Sequence, residues 1–185
     1  MALTKTPVCD FGKKAEDFKL KSIENKIITL NDVKGEKATL IMFICNHCPY
    51  VKAIIRDLAK DCNDLKKDGI NSVAIMPNDT KNYPEDSFDN MIKFAKTNNF
   101  GEINYLIDET QEIARKYGAV CTPDFFGYNK ELKLQYRGRF RELKDLKPVS
   151  GGDSDLKIAM KMISETQAGP KEQIPSMGCN IKWFN

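Results

Sequence analysis

Short apolar runs alternate with amphipathic stretches along most of the chain. Residues 38–44 form an almost unbroken apolar run, the pattern of a central strand covered on both faces. Val51, Ile54, Ile55, Leu58, Cys62 and Leu65 follow in steps of three and four, which places them on one stripe of a helix that Gly69 ends. A second strand is expected over 72–76. Phe88, Met91, Ile92 and Ala95 then predict a helix whose first turn Asp86 or Ser87 is placed to cap. Residues 104–107 read as a strand and 110–117 as a short helix stopped by Gly118. Residues 125–128 and 132–136 read as the arms of a hairpin around Asn129-Lys130. A last helix is predicted over 154–167, ended by Gly169-Pro170. This order is that of an α/β protein with a partly parallel sheet. Residues 1–35 read as an N-terminal extension with a short hairpin at 18–30, and 170–185 as a C-terminal tail without helical or strand periodicity. No repeat or linker divides the chain, so 1–185 is expected to be one domain.

Composition narrows the classes. With 41% hydrophobic and 30% charged residues in 185, the balance is that of a soluble globular domain and excludes disorder and fibrous repeats. The net charge of +3 is small and its lysines are scattered, so no nucleic-acid partner is expected. Neither a signal-peptide-like start nor an apolar stretch of about 20 residues is present, which predicts a cytoplasmic protein without a membrane partner. Six cysteines and a single histidine are the unusual entries. Where thiols are kept reduced, a close cysteine pair points to redox catalysis or metal binding before a structural bridge.

Cys45-Asn46-His47-Cys48 stands where the central apolar strand turns into the first long helix. Residues three apart at a helix entrance are close enough to form a disulfide with little distortion. The helix N-terminus offers unpaired N–H groups and a positive dipole end, which favour a thiolate. On this reading Cys45, taken as nearest that end and nearest solvent, is the attacking sulfur and Cys48 the resolving one. His47 is expected to stabilise the thiolate, making the disulfide more oxidising. Pro49 fits the first helical turn, which has no use for its N–H. A zinc site would need four ligands, and one CxxC supplies two with no second CxxC and no downstream histidine, so no metal is expected.

The segments 43–51, 83–87, 108–111, 117–126 and 178–183 together resemble a peroxiredoxin-like branch of the thioredoxin superfamily, the redoxins of the alkyl hydroperoxide reductase and thiol-specific antioxidant type. The resemblance implies a thioredoxin-like fold, with a central mixed β-sheet flanked by helices, and Cys45 and Cys48 as the redox pair. It also implies that Pro123 is cis and faces the disulfide, with the Thr122 backbone free to hydrogen-bond a bound substrate chain. Two departures are clear. Thr39 stands where a thioredoxin carries a buried aspartate, and Ala38 and Met42 stand where a peroxiredoxin carries proline and threonine.

Two further thiols are candidates for the same site. Cys121, two residues before Pro123, is either a third thiol near the pair or a small packed residue. Cys179, in the tail, either anchors that tail over the core or shuttles a disulfide. Cys62 belongs to the helical stripe. Arg137, Arg139 and Arg141 alternate and are expected to share a solvated strand face, or else to form a subsite for an anion or a glutathione carboxylate.

The activity these residues predict is thiol–disulfide exchange through a mixed disulfide, on a disulfide-containing protein or a small thiol substrate. A thioredoxin- or glutathione-type reductant would regenerate the enzyme, and no cofactor is needed. The alternatives are a thiol peroxidase with Cys45 as its peroxidatic and Cys48 as its resolving cysteine, and a redox sensor or metal-binding module.

Overall fold

The computed structural model describes residues 2–184. Its elements run β1 (Leu3–Lys5), β2 (Lys19–Ser22), β3 (Ile27–Thr29), α1 (Leu30–Val33), β4 (Ala38–Phe43), α2 (Pro49–Lys66), β5 (Ile70–Met76) and, after a 3-10 turn at Pro84–Asp86, α3 (Phe88–Thr97). They continue with β6 (Asn104–Ile107), α4 (Glu112–Tyr117), β7 (Cys121–Thr122), β8 (Asp124–Asn129), β9 (Leu134–Tyr136), β10 (Leu143–Lys144), β11 (Lys147–Pro148), α5 (Asp155–Thr166) and β12 (Met177–Asn180). The main sheet has seven strands in the order β3-β2-β6-β5-β4-β8-β9. β4 lies parallel to β5, which lies parallel to β6, while β2 and β8 pair antiparallel with the neighbours they meet. The sheet is therefore mixed, as expected of a thioredoxin-like fold.

The central run is buried on both faces because its alternate residues enter two different layers. Leu40 and Met42 join the core beneath α2, α3 and α5, together with Ile54, Leu58, Met91, Leu156 and Met160. Ile41 and Phe43 join the opposite layer with Leu30, Ile113, Tyr117 and Phe126. Burying each such side chain stabilises the fold by roughly 1.5–3 kcal/mol relative to leaving it in water. Gly118 closes α4 in the left-handed conformation, φ 66°, which a residue without a Cβ adopts readily.

Several elements depart from the expectation. The 18–30 hairpin forms as β2 and β3, and it is part of the main sheet because β2 pairs with β6. Ser87 occupies the cap position of α3 but its side chain makes no cap bond, and Asp86 is drawn into a different network described below. Helix α5 is capped by Ser154, which accepts the Lys157 N–H at 3.1 Å, and it ends at a left-handed Gln167 before Gly169 is reached. The tail is the largest departure. It forms β12, the middle strand of a second sheet ordered β1-β12-β7.

Close packing makes that strand possible. Residues of β12 pair antiparallel with β7, Cys179 opposite Thr122 and Asn180 opposite Cys121. A Cβ on Gly178 would stand 2.0 Å from the Thr122 carbonyl oxygen, so only glycine lets the two backbones approach. Ser176 Oγ donates to the Pro123 carbonyl at 2.8 Å, and the Lys182 N–H to Asn78 Oδ1 at 2.9 Å, holding the strand from both ends. Ile181 and Trp183 pack into the second core layer. Gly178→Ala should therefore destabilise the protein by about 1–3 kcal/mol in urea unfolding, the usual cost of overpacking. It should also speed alkylation of Cys179; an unchanged midpoint and unchanged labelling would contradict the close approach.

Candidate active site

Strand β4 delivers the chain to the site, and Asp86 binds the loop that precedes the next helix. Its Oδ1 accepts the Asn46 N–H at 2.8 Å and the His47 N–H at 3.3 Å. Both amides belong to the loop before α2, which starts at Pro49 with Cys48 as its N-cap. Proline suits that first position because its missing N–H would have had no helical partner. Cys45 is three residues upstream of the cap and off the helix. Both are buried, Cys45 at 1% exposed and Cys48 at 0%. The expectation that Cys45 meets the helix end is overturned, and Cys48 occupies that place.

Electrostatics follow this placement. The Cys48 thiol is drawn down from 9.0 to about 5, first by Cys45 acting as a hydrogen-bond donor and then by Cys179 doing the same, against the opposing effect of burial. The Val51 N–H, at the third helical position, also favours the charge without reaching full hydrogen-bond alignment. Cys45 shifts the opposite way, well above its ordinary value. It is the donor to Cys48, it is buried, and the Asp86 carboxylate lies near it; the Thr122 hydroxyl, 3.3 Å from its sulfur, opposes the rise. The two sulfurs titrate as a pair, shifted down at Cys48 and up at Cys45. In the protonated form, the Cys48 S–H donates to the Thr122 carbonyl oxygen at 3.1 Å.

His47 stands close to the pair, with a ring nitrogen within 4.8 Å of Cys45 Sγ. No hydrogen bond joins its imidazole to Cys45 or Cys48. Its Nδ1 lies 2.7 Å from Asp86 Oδ2, and its ring stacks on Tyr83 with centroids 5.7 Å apart. Asn46 fastens the same loop, donating from its amide to the Glu85 carbonyl at 3.1 Å and accepting from the Tyr105 hydroxyl at 2.9 Å. Asn78 donates to Asp86 Oδ2 at 2.8 Å. Asp86, Asn78, Tyr83, Glu85 and Tyr105 were not among the expected site residues, although 83–87 was one of the segments that carried the resemblance. Cys45, His47 and Asp86 also bring ligand atoms within 4.8 Å of one another. Asp86 already accepts two amide N–H groups and the Asn78 amide besides its contact with His47, so the trio is a closed hydrogen-bond network and poorly arranged to receive a cation.

The opposite wall is the turn into β8. Thr122–Pro123 is a cis peptide, as the resemblance implied. The Thr122 backbone, however, is not open to a substrate chain, because β12 is already paired with it. This arrangement brings Cys179 to the site, with its Sγ 2.9 Å from Cys48 Sγ. Cys121 stays apart: it is buried on β7 and directed at the Pro123 carbonyl, 3.5 Å away. Burial pushes its thiol up, which makes it a packing residue. Cys62 is buried on α2 as expected.

The three arginines share no solvated face. Arg137 is buried against Asp124 at 2.9 Å and over the Phe126 ring, Arg139 pairs with Asp155 at 2.6 Å, and Arg141 donates to the Val149 and Gly152 carbonyls. The hairpin ends at Tyr136, so their alternation falls outside the strand.

The Asp86 contact raises the pKa of His47 against the opposing effect of burial. A raised histidine pKa stabilises the fold most below the ordinary 6.5, and that contribution is lost as pH rises through the folded value. In a proton NMR titration His47 should therefore change state above 6.5, and Asp86→Asn should bring it back toward 6.5. An unaltered titration in the variant would remove Asp86 as the cause.

Comparison with known proteins agrees with this architecture. The AhpC/TSA family model matches residues 11–139. No curated protein matches the chain. Among solved structures, an uncharacterized conserved protein from Geobacillus kaustophilus is 39% identical with a TM-score of 0.93, over 100% of this chain and 97% of that one. A hypothetical protein from Sinorhizobium meliloti 1021 is 36% identical with a TM-score of 0.89, over 98% of each. A thiol:disulfide interchange protein of the thioredoxin family from Chlorobium tepidum TLS, 19% identical, shares the fold with a TM-score of 0.62 over 83% of this chain and 97% of that one. None of the described helices is long and apolar enough to cross a membrane. Because the family match covers well over half of the sequence and takes in β4, the start of α2 and cis-Pro123, the chain belongs to the AhpC/TSA family of thioredoxin-like redox proteins.

Proposed function

We propose that the protein is a thiol–disulfide oxidoreductase in which Cys48 attacks and Cys45 resolves, the reverse of the order expected from sequence. The observation that carries this reading is the position of Cys48 at the N-cap of α2, and the opposite shifts of the pair, down at Cys48 and up at Cys45, agree with it. The Cys48 thiolate attacks one sulfur of a substrate disulfide. A Cys48–substrate bond forms, and the other half leaves as a thiolate that takes up a proton. Cys45 then gives up its proton, bonds to Cys48 Sγ and releases the second half of the substrate as a thiol. Two electrons have passed to the substrate, and the Cys45–Cys48 disulfide is returned to dithiol by a thioredoxin- or glutathione-type thiol.

The covering strand bears on which substrates fit. Since β12 fills the edge of β7, a substrate chain cannot add there as a new strand, which favours a small disulfide. A groove of about 280 Å³ adjoins cis-Pro123 and includes Tyr50, Phe140 and Ile174 among its apolar walls and Lys5, Arg139 and Arg141 among its cations. That combination suits a small disulfide bearing carboxylates, of which oxidised glutathione is the simplest example.

A second reading, thiol peroxidase, is favoured by the near-complete burial of Cys45 and Cys48, which admits small oxidants most easily. There Cys48 would be oxidised by a hydroperoxide to a sulfenic acid and condense with Cys45, losing water.

The two readings separate in a variant with both Cys45 and Cys179 replaced by serine. Exposed to oxidised glutathione, it should hold one glutathione on Cys48, found by peptide mass spectrometry, and release one equivalent. Absence of that adduct, together with rapid consumption of hydroperoxide by the wild type, would overturn the oxidoreductase reading in favour of the peroxidase. Cys48→Ser should be inactive on either substrate.

A further inference from the structure

Cys48 has two thiol neighbours, and the reaction above uses one. The other, Cys179, comes from the opposite end of the chain and is placed by β12, whose pairing with β7 puts it level with Thr122 and 2.9 Å from Cys48 Sγ. A disulfide requires about 2.05 Å, so a closure of under ~1 Å would bond the two sulfurs. The strand is held at Ser176, Gly178 and Lys182. It therefore occupies the place where a substrate strand would lie beside the cis-proline and presents its own cysteine there. β1 pairs with its outer edge and backs it.

We propose that Cys179 is a second resolving thiol, so that the oxidised protein carries its disulfide either as Cys45–Cys48 or as Cys48–Cys179, with Cys48 common to both. The proposal rests on Cys48 being the attacking sulfur. When Cys48 is bonded to one half of a substrate disulfide, Cys179 loses its proton to solvent and attacks Cys48 Sγ. The Cys48–Cys179 bond forms, the bond to the substrate breaks, and the departing thiolate takes a proton from solvent. As in resolution by Cys45, two protein thiols are oxidised and one external disulfide is reduced. Exchange between the two protein disulfides is electron-neutral: Cys179 displaces Cys45 from Cys48, and Cys45 takes up a proton.

The ionisation of Cys179 fits this order of events. In the dithiol protein its pKa is raised to about 12, first by burial and then by its hydrogen bond to Cys48 and the charge there. The contributions of Cys48 vanish once that sulfur is in a disulfide, while the lowering effect of Lys182 remains. Cys179 thus becomes a better nucleophile only after Cys48 has reacted. At 5% exposed it is also the least buried of the three cysteines, which favours the Cys48–Cys179 form as the one an external thiol reaches.

The test is to count glutathione released on adding oxidised glutathione to full-length Cys45→Ser protein. The proposal predicts two equivalents and a Cys48–Cys179 linked peptide. One equivalent, with glutathione retained on Cys48, would overturn it while leaving Cys48 as the attacking sulfur. Should Cys45→Ser fail to fold, the oxidised wild type is quenched in acid, alkylated and digested, and absence of the Cys48–Cys179 peptide overturns the proposal. Cys179→Ser separates the two levels. Two equivalents released there, through Cys45, support the underlying reaction, whereas no release from either single variant would sink the assignment of Cys48 and the proposal with it.

Discussion

The site is organised by how the backbone amides between β4 and α2 are satisfied. A buried amide needs an acceptor, and the helix cannot supply one for residues that precede its first turn. Asp86 supplies it by accepting the Asn46 and His47 N–H groups from another loop. The helix starts at Pro49, and its positive end falls on Cys48. Moving the start by one turn would place Cys45 at the cap and exchange the two sulfurs' roles. Asp86 fixes the loop between Cys45 and Cys48 without hydrogen-bonding either sulfur, and its pairing with His47 raises the imidazole pKa as part of the same network.

The second organising contact is the pairing of β12 with β7. It closes the edge beside cis-Pro123 and brings a third thiol to Cys48. These effects have one origin, the close backbone approach that Gly178 permits. A covered site of this kind trades access by extended protein chains for a fixed, water-poor arrangement of thiols, in which a proton can be shared between sulfurs and a disulfide can change partners with little motion. The tail is thus a structural part of the candidate site, and the N-terminal strand that pairs with it belongs to the same unit.

Much of this fold was legible in the sequence because its central elements have strong periodicity. The 38–44 run, the stripe from Val51 to Leu65 and the 125–136 hairpin depend on burial patterns that short windows reveal. The tail was not legible. Met177-Gly178-Cys179-Asn180 lacks alternation because its strand is defined by a close backbone approach and not by an apolar face. At the site, the CxxC and cis-Pro123 were visible, but the order of the cysteines was not. The proposed order depends on where α2 begins, and the loop before it is bound by a carboxylate 38 residues beyond Cys48, in a segment whose sequence reads locally as a helix cap. The arginines misled for a related reason: alternation implies a strand face only while the strand lasts, and β9 stops at Tyr136.

The account stands or falls on the identity of the ionised sulfur. The direct measurement is the rate of iodoacetamide alkylation of the reduced protein as a function of pH, with each modified cysteine identified by peptide mass spectrometry. Cys48 should be labelled ahead of Cys45 and Cys179, with its rate rising through a midpoint near 5. Preferential labelling of Cys45, or a Cys48 that reacts only as the pH approaches 9.0, would contradict the placement of the charge at the start of α2.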